Sequence, residues 1–168
     1  MPNFEVKNQF SRAGLASDGF VGWVSFDYLR AADPCPTSGG VYVVTRVSQS
    51  DPCFLDRSCG GWFKDRDPTV PHESLVANWV DDAEVVYIGK ANNLRRRLRE
   101  FAKFGAGRKI GHWGGRLIWQ LEESSKLLVA WKETPNHEPA TVESEMLSQF
   151  RRAYGAPPFA NDPHRLGA

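Results

Sequence analysis

Apolar and polar positions follow two rhythms along the chain. GVYVVTRV at 40–47 and EVVYIG at 84–89 are short β-branched and aromatic runs, the pattern of buried strands. KLLVAWKE at 126–133 is a third such run. Over 93–104 the period changes to that of a helix. Leu94, Leu98 and Phe101 fall on one stripe, and Asn93, or Asn92 before it, can cap the start. A second helix is predicted from about Pro139 to Ala153, with proline suited to the first turn and Gly155 just past the end. Its stripe is Val142, Met146, Phe150 and Ala153, widened by Leu147 and Tyr154. RLIWQL at 116–121 fits either state and is read as a short helix. The glycine-rich FGAGRKIGHWGG before it reads as loop.

Residues 1–38 are mixed in character and end in the breaker-rich DPCPTSGG. They read as an N-terminal extension. Segment 48–83 is rich in Asp, Gly, Pro and Ser, with room for a short helix beginning at Pro71. A structureless connection of that length is unusual in a compact domain, so it is read as an inserted subdomain or functional loop. The order of elements predicts an α/β domain over 1–168, a small sheet of about three strands flanked by helices. The long insertion separates its first two core strands.

Composition adds little until charge is mapped along the chain. The 168 residues have an ordinary apolar and charged content for a globular domain and a net charge of only +1. Yet 87–116 carries nine Lys and Arg against one acid, Glu100, so this block is +8 and the remainder −7. Such polarisation points to an anionic partner, nucleic acid above all. No apolar run approaches the length of a membrane span, and MPNFEVKNQF lacks the apolar stretch of a signal peptide. The expected location is the cytoplasm, with no membrane partner. Cys35, Cys53 and Cys59 are odd in number, and the closest pair has five residues between its members. That spacing does not suit a structural zinc site, so they read as free thiols.

Helical phase singles out two charged residues. On the 93–104 helix, Arg95, Arg96 and Arg99 point away from the apolar stripe, whereas Arg97 sits at its border. On the 139–153 helix, Glu143 falls within the stripe and Glu145 on the opposite face. A carboxylate directed into a packed surface is costly unless paired, hydrogen-bonded or bound to metal.

These residues belong to a larger pattern. GVY at 40–42, YIG at 87–89, the stretch YIGKANNLRRRLREF and the closing ESEMLSQFRRAYGAPPFAN together resemble the GIY-YIG nuclease family, its excision-repair members in particular. The resemblance implies a metal-dependent endonuclease that hydrolyses phosphodiester bonds in DNA, with RNA as an open second substrate, around one Mg2+ or Mn2+. It places the family's two site tyrosines on Tyr42 and Tyr87, its lysine on Lys90 and its essential arginine on Arg97. The metal-binding glutamate falls on Glu143 and the closing asparagine on Asn161. Helical phase and resemblance select the same arginine and the same glutamate.

The chemistry asked of these groups is coherent. Glu143 can hold a hard divalent cation, and Arg97 can clamp a phosphate oxygen through two parallel hydrogen bonds. Either Tyr42 or Tyr87 can activate water if its pKa is lowered by Lys90, Arg97 or the metal. Arg95, Arg96, Arg99 and Lys103 are expected to bind substrate phosphates. Members of the family often carry tyrosine or histidine four residues after the arginine, where this chain has Phe101. His112, in the glycine-rich loop, is the candidate to fill that role as a proton donor or acceptor. The competing function is a non-catalytic nucleic-acid-binding module on the same fold.

Overall fold

The structure, a computed structural model, describes residues 6–162. The last six residues of the tail and the first five of the N-terminal extension lie outside them. The elements are α1 (Arg12–Ser17), β1 (Val21–Val24), α2 (Phe26–Ala32), β2 (Gly40–Thr45), α3 (His72–Asn78), β3 (Val85–Ala91), α4 (Leu94–Gly105), β4 (Leu128–Glu133) and α5 (Pro139–Tyr154). A 3-10 segment, Trp113–Gln120, precedes β4. The α/β class is as the sequence implied, but the sheet has four strands. Their order is β1-β4-β2-β3 and every pairing is antiparallel.

The fourth strand comes from the N-terminal extension. β1 pairs with β4 along the sheet edge, with a register shift between Gly22 and Val24. Gly22 and Trp23 both have positive φ there, 111° and 58°. A bulge of this kind breaks the two-residue alternation that marks a strand, and Val21 remains exposed.

Alternation along β2 sends side chains to two separate cores. Tyr42 and Val44 join Phe26, Leu29, Leu94, Leu98, Phe101 and Leu117 on one face. Val41 and Val43 meet Phe10, Leu15, Phe20 and Phe150 on the other. Helices α2 and α4 thus cover one face, and α1 and α5 the opposite one. β2 is buried at all six positions, as a central strand between two layers must be.

Local rules explain the two long helices. Asn93 caps α4, its side chain accepting from the Arg96 amide at 3.0 Å. Pro139 opens α5, and Gly155 closes it in the left-handed region at φ 79°.

The 48–83 insertion does not form a subdomain with its own core. Val70 and Leu75 belong to the same buried cluster as Tyr42. Gln120, almost fully buried, holds the segment with its whole amide group. Its Oε1 accepts from the Val70 amide at 2.6 Å, and its Nε2 donates to the carbonyls of Leu55 and Val70. Main-chain bonds from Leu55 to Gln120 and from Cys59 to Trp119 complete the seam. A long loop becomes tolerable when its backbone groups are satisfied this way. The three cysteines are free thiols, Cys35 buried and the others exposed.

Candidate active site

β3 is an edge strand, and the site forms where the two helical layers meet around that edge. A cavity of about 1020 Å³ opens there. Tyr87 from β3, Glu143 and Leu147 from α5, Trp113 and Arg116 from the 3-10 segment, and Asn161 from the tail all line it. Residues 56 positions apart in sequence, Tyr87 and Glu143, therefore share one wall.

Tyr42 lies behind Tyr87. Their ring centroids are 6.0 Å apart, and Tyr42 is sealed from solvent while Tyr87 keeps 8% of its surface. The cross-strand partner of Tyr42 is Gly89. A Cβ on Gly89 would stand 2.4 Å from the tyrosine ring, so the glycine lets that ring lie flat across β3. The aromatic of one motif and the glycine of the other thus make a single packing unit.

His112 is wholly buried and stacks on Phe101, with ring centroids 3.6 Å apart and planes 13° from parallel. Gly115 leaves room for this stack, since a Cβ there would meet the Phe101 ring at 2.7 Å. His112 Nε2 lies 2.7 Å from the Tyr42 hydroxyl, and its Nδ1 has no hydrogen-bond partner among the described residues. Burial first, then the nearby Arg97 charge, holds its pKa well below the ordinary histidine value. The ring is therefore neutral, with one N–H. Leaving an N–H unpaired in the core costs more than leaving a lone pair unpaired. That assigns the proton to Nε2, which donates to the Tyr42 oxygen and leaves the Tyr42 proton to point at Tyr87.

His112, expected to take the polar role missing at Phe101, does not line the cavity and reaches it only through the Tyr42 hydroxyl. Phe101 supports the imidazole from beneath, and the imidazole orients Tyr42.

Both tyrosines are harder to ionise than free tyrosine, contrary to the expectation of a lowered pKa. Burial pushes Tyr87 up to about 12; Arg97 and the Tyr42 hydroxyl pull it down, while Glu143 pushes it further up. Tyr42, deeper and next to Tyr87, is raised well above the usual range. Tyr87 is thus the more readily ionised member of the pair and the one open to the cavity.

Glu143 is half-buried and Glu145 exposed, as helical phase predicted. Burial raises the Glu143 pKa, with the charge of Lys90 opposing. Glu143 makes no hydrogen bond or ion pair among the described residues. Lys90 itself is exposed on β3. Asn161 clasps the open edge of β3: its Oδ1 accepts from the Ile88 amide at 2.9 Å and its Nδ2 donates to the Ile88 carbonyl at 2.8 Å. It satisfies the strand beside Tyr87 as a neighbouring strand would.

Arg97 does not line the cavity. Its Nη1 donates to the Gly111 carbonyl at 3.0 Å and to Glu100 at 3.4 Å, and its charge reaches both tyrosines and His112. The other arginines of α4 are largely engaged. Arg95 donates to the Cys35 carbonyl at 2.7 Å, Arg96 pairs with Glu100, and Arg99 forms two contacts with Asp33. Lys103 is half-buried in the last turn of α4. Arg116, which sequence reasoning passed over, is the buried guanidinium in the cavity wall.

No family model, curated protein or solved structure matches the chain. No group of three or more His, Cys, Asp or Glu among the described residues is arranged as a metal site, and no helix among them is long and apolar enough to cross a membrane.

Proposed function

We propose that the chain is a GIY-YIG-type endonuclease that hydrolyses phosphodiester bonds in DNA, with Tyr87 and Glu143 at its centre. The observation that carries this reading is their convergence on one cavity wall, with Tyr42, His112 and Arg97 ordered behind them. A folded domain with no such chemistry has little reason to leave a half-buried carboxylate without a hydrogen bond among the described residues.

Glu143 fits a divalent cation because it is partly desolvated and acceptor-only, and its carboxylate makes no hydrogen bond among the described residues. Magnesium or manganese bound there would supply Lewis-acid polarisation of a phosphate oxygen and neutralise developing charge. A one-carboxylate site would leave the remaining coordination to water and phosphate.

The protein's own groups perform the rest. The Tyr87 oxygen faces the cavity and takes a proton from the attacking water as a phenolate. Arg97 and the Tyr42 hydroxyl favour that anion, and His112 fixes the hydroxyl's direction. Asn161 holds the strand that carries Tyr87. A base this weakly ionised at neutral pH predicts a rate that rises as the medium becomes alkaline.

One observation favours a second reading. The elevated tyrosine pKa values suit a site that binds phosphates without cutting them, the non-catalytic module. Supercoiled plasmid incubated with Mg2+ or Mn2+ separates the two, with Glu143→Ala as control. Nicking by the native protein alone supports the enzyme; retarded migration without nicking supports the module.

A further inference from the structure

We propose that the cleft along α5 takes a strand of linked nucleotides by at least two phosphates, the second held by Arg116, Arg151 and Arg152. This rests on reading the Tyr87–Glu143 wall as a phosphodiester site. Four observations carry it.

The first is length. Glu143, Leu147 and Arg151 follow one face of α5, and Ser144, Ser148 and Arg152 follow the adjoining one; all six line the cavity. At 1.5 Å per residue the carboxylate and the arginines are separated by about 12 Å along the helix. One phosphate cannot touch both ends, so a ligand that fills the cleft carries charge in more than one place.

The second is polarity. The cleft is acidic at Glu143 and basic at Arg151 and Arg152, with the hydroxyls of Ser144 and Ser148 between them. Hydroxyls and guanidinium groups are common phosphate contacts. A metal-bearing end followed by a cationic end matches consecutive phosphates on one strand.

The third is availability. Arg151 and Arg152 are exposed and form no ion pair or hydrogen bond through their side chains among the described residues. A place in the last turn of α5 accounts for their sign through the helix dipole. It does not account for Arg116.

Arg116 is the fourth and independent observation. Its side chain is 3% exposed, and its Nη2 has no hydrogen-bond partner among the described residues. Nη1 donates to the Trp113 carbonyl at 3.1 Å, and Asp162 Oδ2 stands 3.9 Å from Nη2, beyond hydrogen-bond length. A buried guanidinium retains its charge, and a free donor of this kind in a cavity wall calls for an anionic acceptor. Asp162 also lines the cleft and keeps the arginine from being wholly uncompensated without a ligand.

The test is fluorescence anisotropy of a labelled single strand of about twelve nucleotides, titrated in EDTA at several salt concentrations, with a dinucleotide as short ligand. The native protein should bind the longer strand more tightly than the dinucleotide. Arg151→Gln/Arg152→Gln should weaken strand binding about tenfold, remove the length advantage and flatten the salt slope by about 0.7 per lost contact. Arg151→Lys/Arg152→Lys should recover the slope. Lys64→Gln/Lys126→Gln removes the same charge elsewhere and should bind within about twofold of native. Native affinity and slope in the Arg→Gln variant would overturn the proposal, as would an equal loss in the Lys→Gln control. Plasmid nicking on the same samples keeps the two readings apart. Strand binding lost in the Arg→Gln variant with no nicking by native protein would retire the nuclease and keep the cleft. Nicking by native protein with undiminished strand binding in that variant would do the reverse.

Discussion

Helix α4 and the C-terminal half of α5 both carry arginines, and they use them differently. α4 is the denser. Arg95 and Arg99 are nevertheless tied to the loop after α2 through the Cys35 carbonyl and Asp33, and Arg96 and Arg97 share Glu100. α5 offers only Arg151 and Arg152, both unpaired among the described residues, beside the buried Arg116. Charge density along a sequence is therefore a poor measure of charge available to a ligand. The acids that neutralise α4 come from the same helix and from a loop more than sixty residues earlier, and only the fold brings the latter into reach.

The comparison breaks most readily at the Glu143 end of α5. Glu143→Gln should lower cleavage by ~10³-fold or more, the scale of lost metal-assisted charge stabilisation. The same variant should be more heat-stable at neutral pH. The raised pKa of Glu143 means the folded state favours the protonated acid, so its ionised form costs stability above that pKa. Removing the charge should raise Tm by roughly 2–4 °C per kcal/mol regained, and Mg2+ should stabilise native protein but not the variant. A variant that is less stable than native, measured by calorimetry, would place Glu143 in a structural contact instead.

Arg97→Ala is next in size. Its charge serves the tyrosine pair, so kcat should fall by about 10²–10³ with KM little changed. Arg95→Gln and Arg99→Gln should instead act on stability. Arg99–Asp33 is a solvent-screened surface pair, so the loss of stability should be small and is read by denaturant titration. A steep fall in kcat from Arg99→Gln with intact stability would show that α4 presents its arginines to substrate after all.

His112 gives the smallest effect at neutral pH and the most distinctive dependence on it. Its folded pKa lies well below its unfolded value near 6.5. The unfolded state therefore binds the extra proton first. Stability is fully present above about pH 6.5 and is lost as pH falls below it, by up to about 1.4 kcal/mol per unit. His112→Gln should flatten that slope between about pH 6.5 and 5, and an unaltered slope would mean the imidazole already titrates in the folded protein.

Much of this was legible because the responsible signals are local. β2, β3, β4, α4 and α5 announce themselves by period, cap and breaker, and helical phase alone separates Glu143 from Glu145. What escaped depends on partners distant in sequence. β1 is bulged at Gly22 and Trp23, so its alternation is broken. The insertion reads as a separate unit because its glycines, prolines and acids hide Val70 and Leu75, which pack under the main core. Arg116 sits in an ambiguous apolar run, and nothing in RLIWQL marks its charge as buried. The motifs single out Tyr42 and Tyr87 but not the direction of their pKa values, since burial is a property of the fold.

The most direct measurement is single-turnover cleavage of a labelled DNA duplex by native protein and by Tyr87→Phe, with Mg2+ present and binding followed on the same samples in EDTA. The substitution removes one hydroxyl from the cavity wall and leaves the ring packing in place. Cleavage should be lost by about 10²-fold or more, the scale of general-base assistance, while the variant binds DNA as tightly as native protein. A Tyr87→Phe variant that cuts at the native rate would contradict the assignment of this cavity as the catalytic centre.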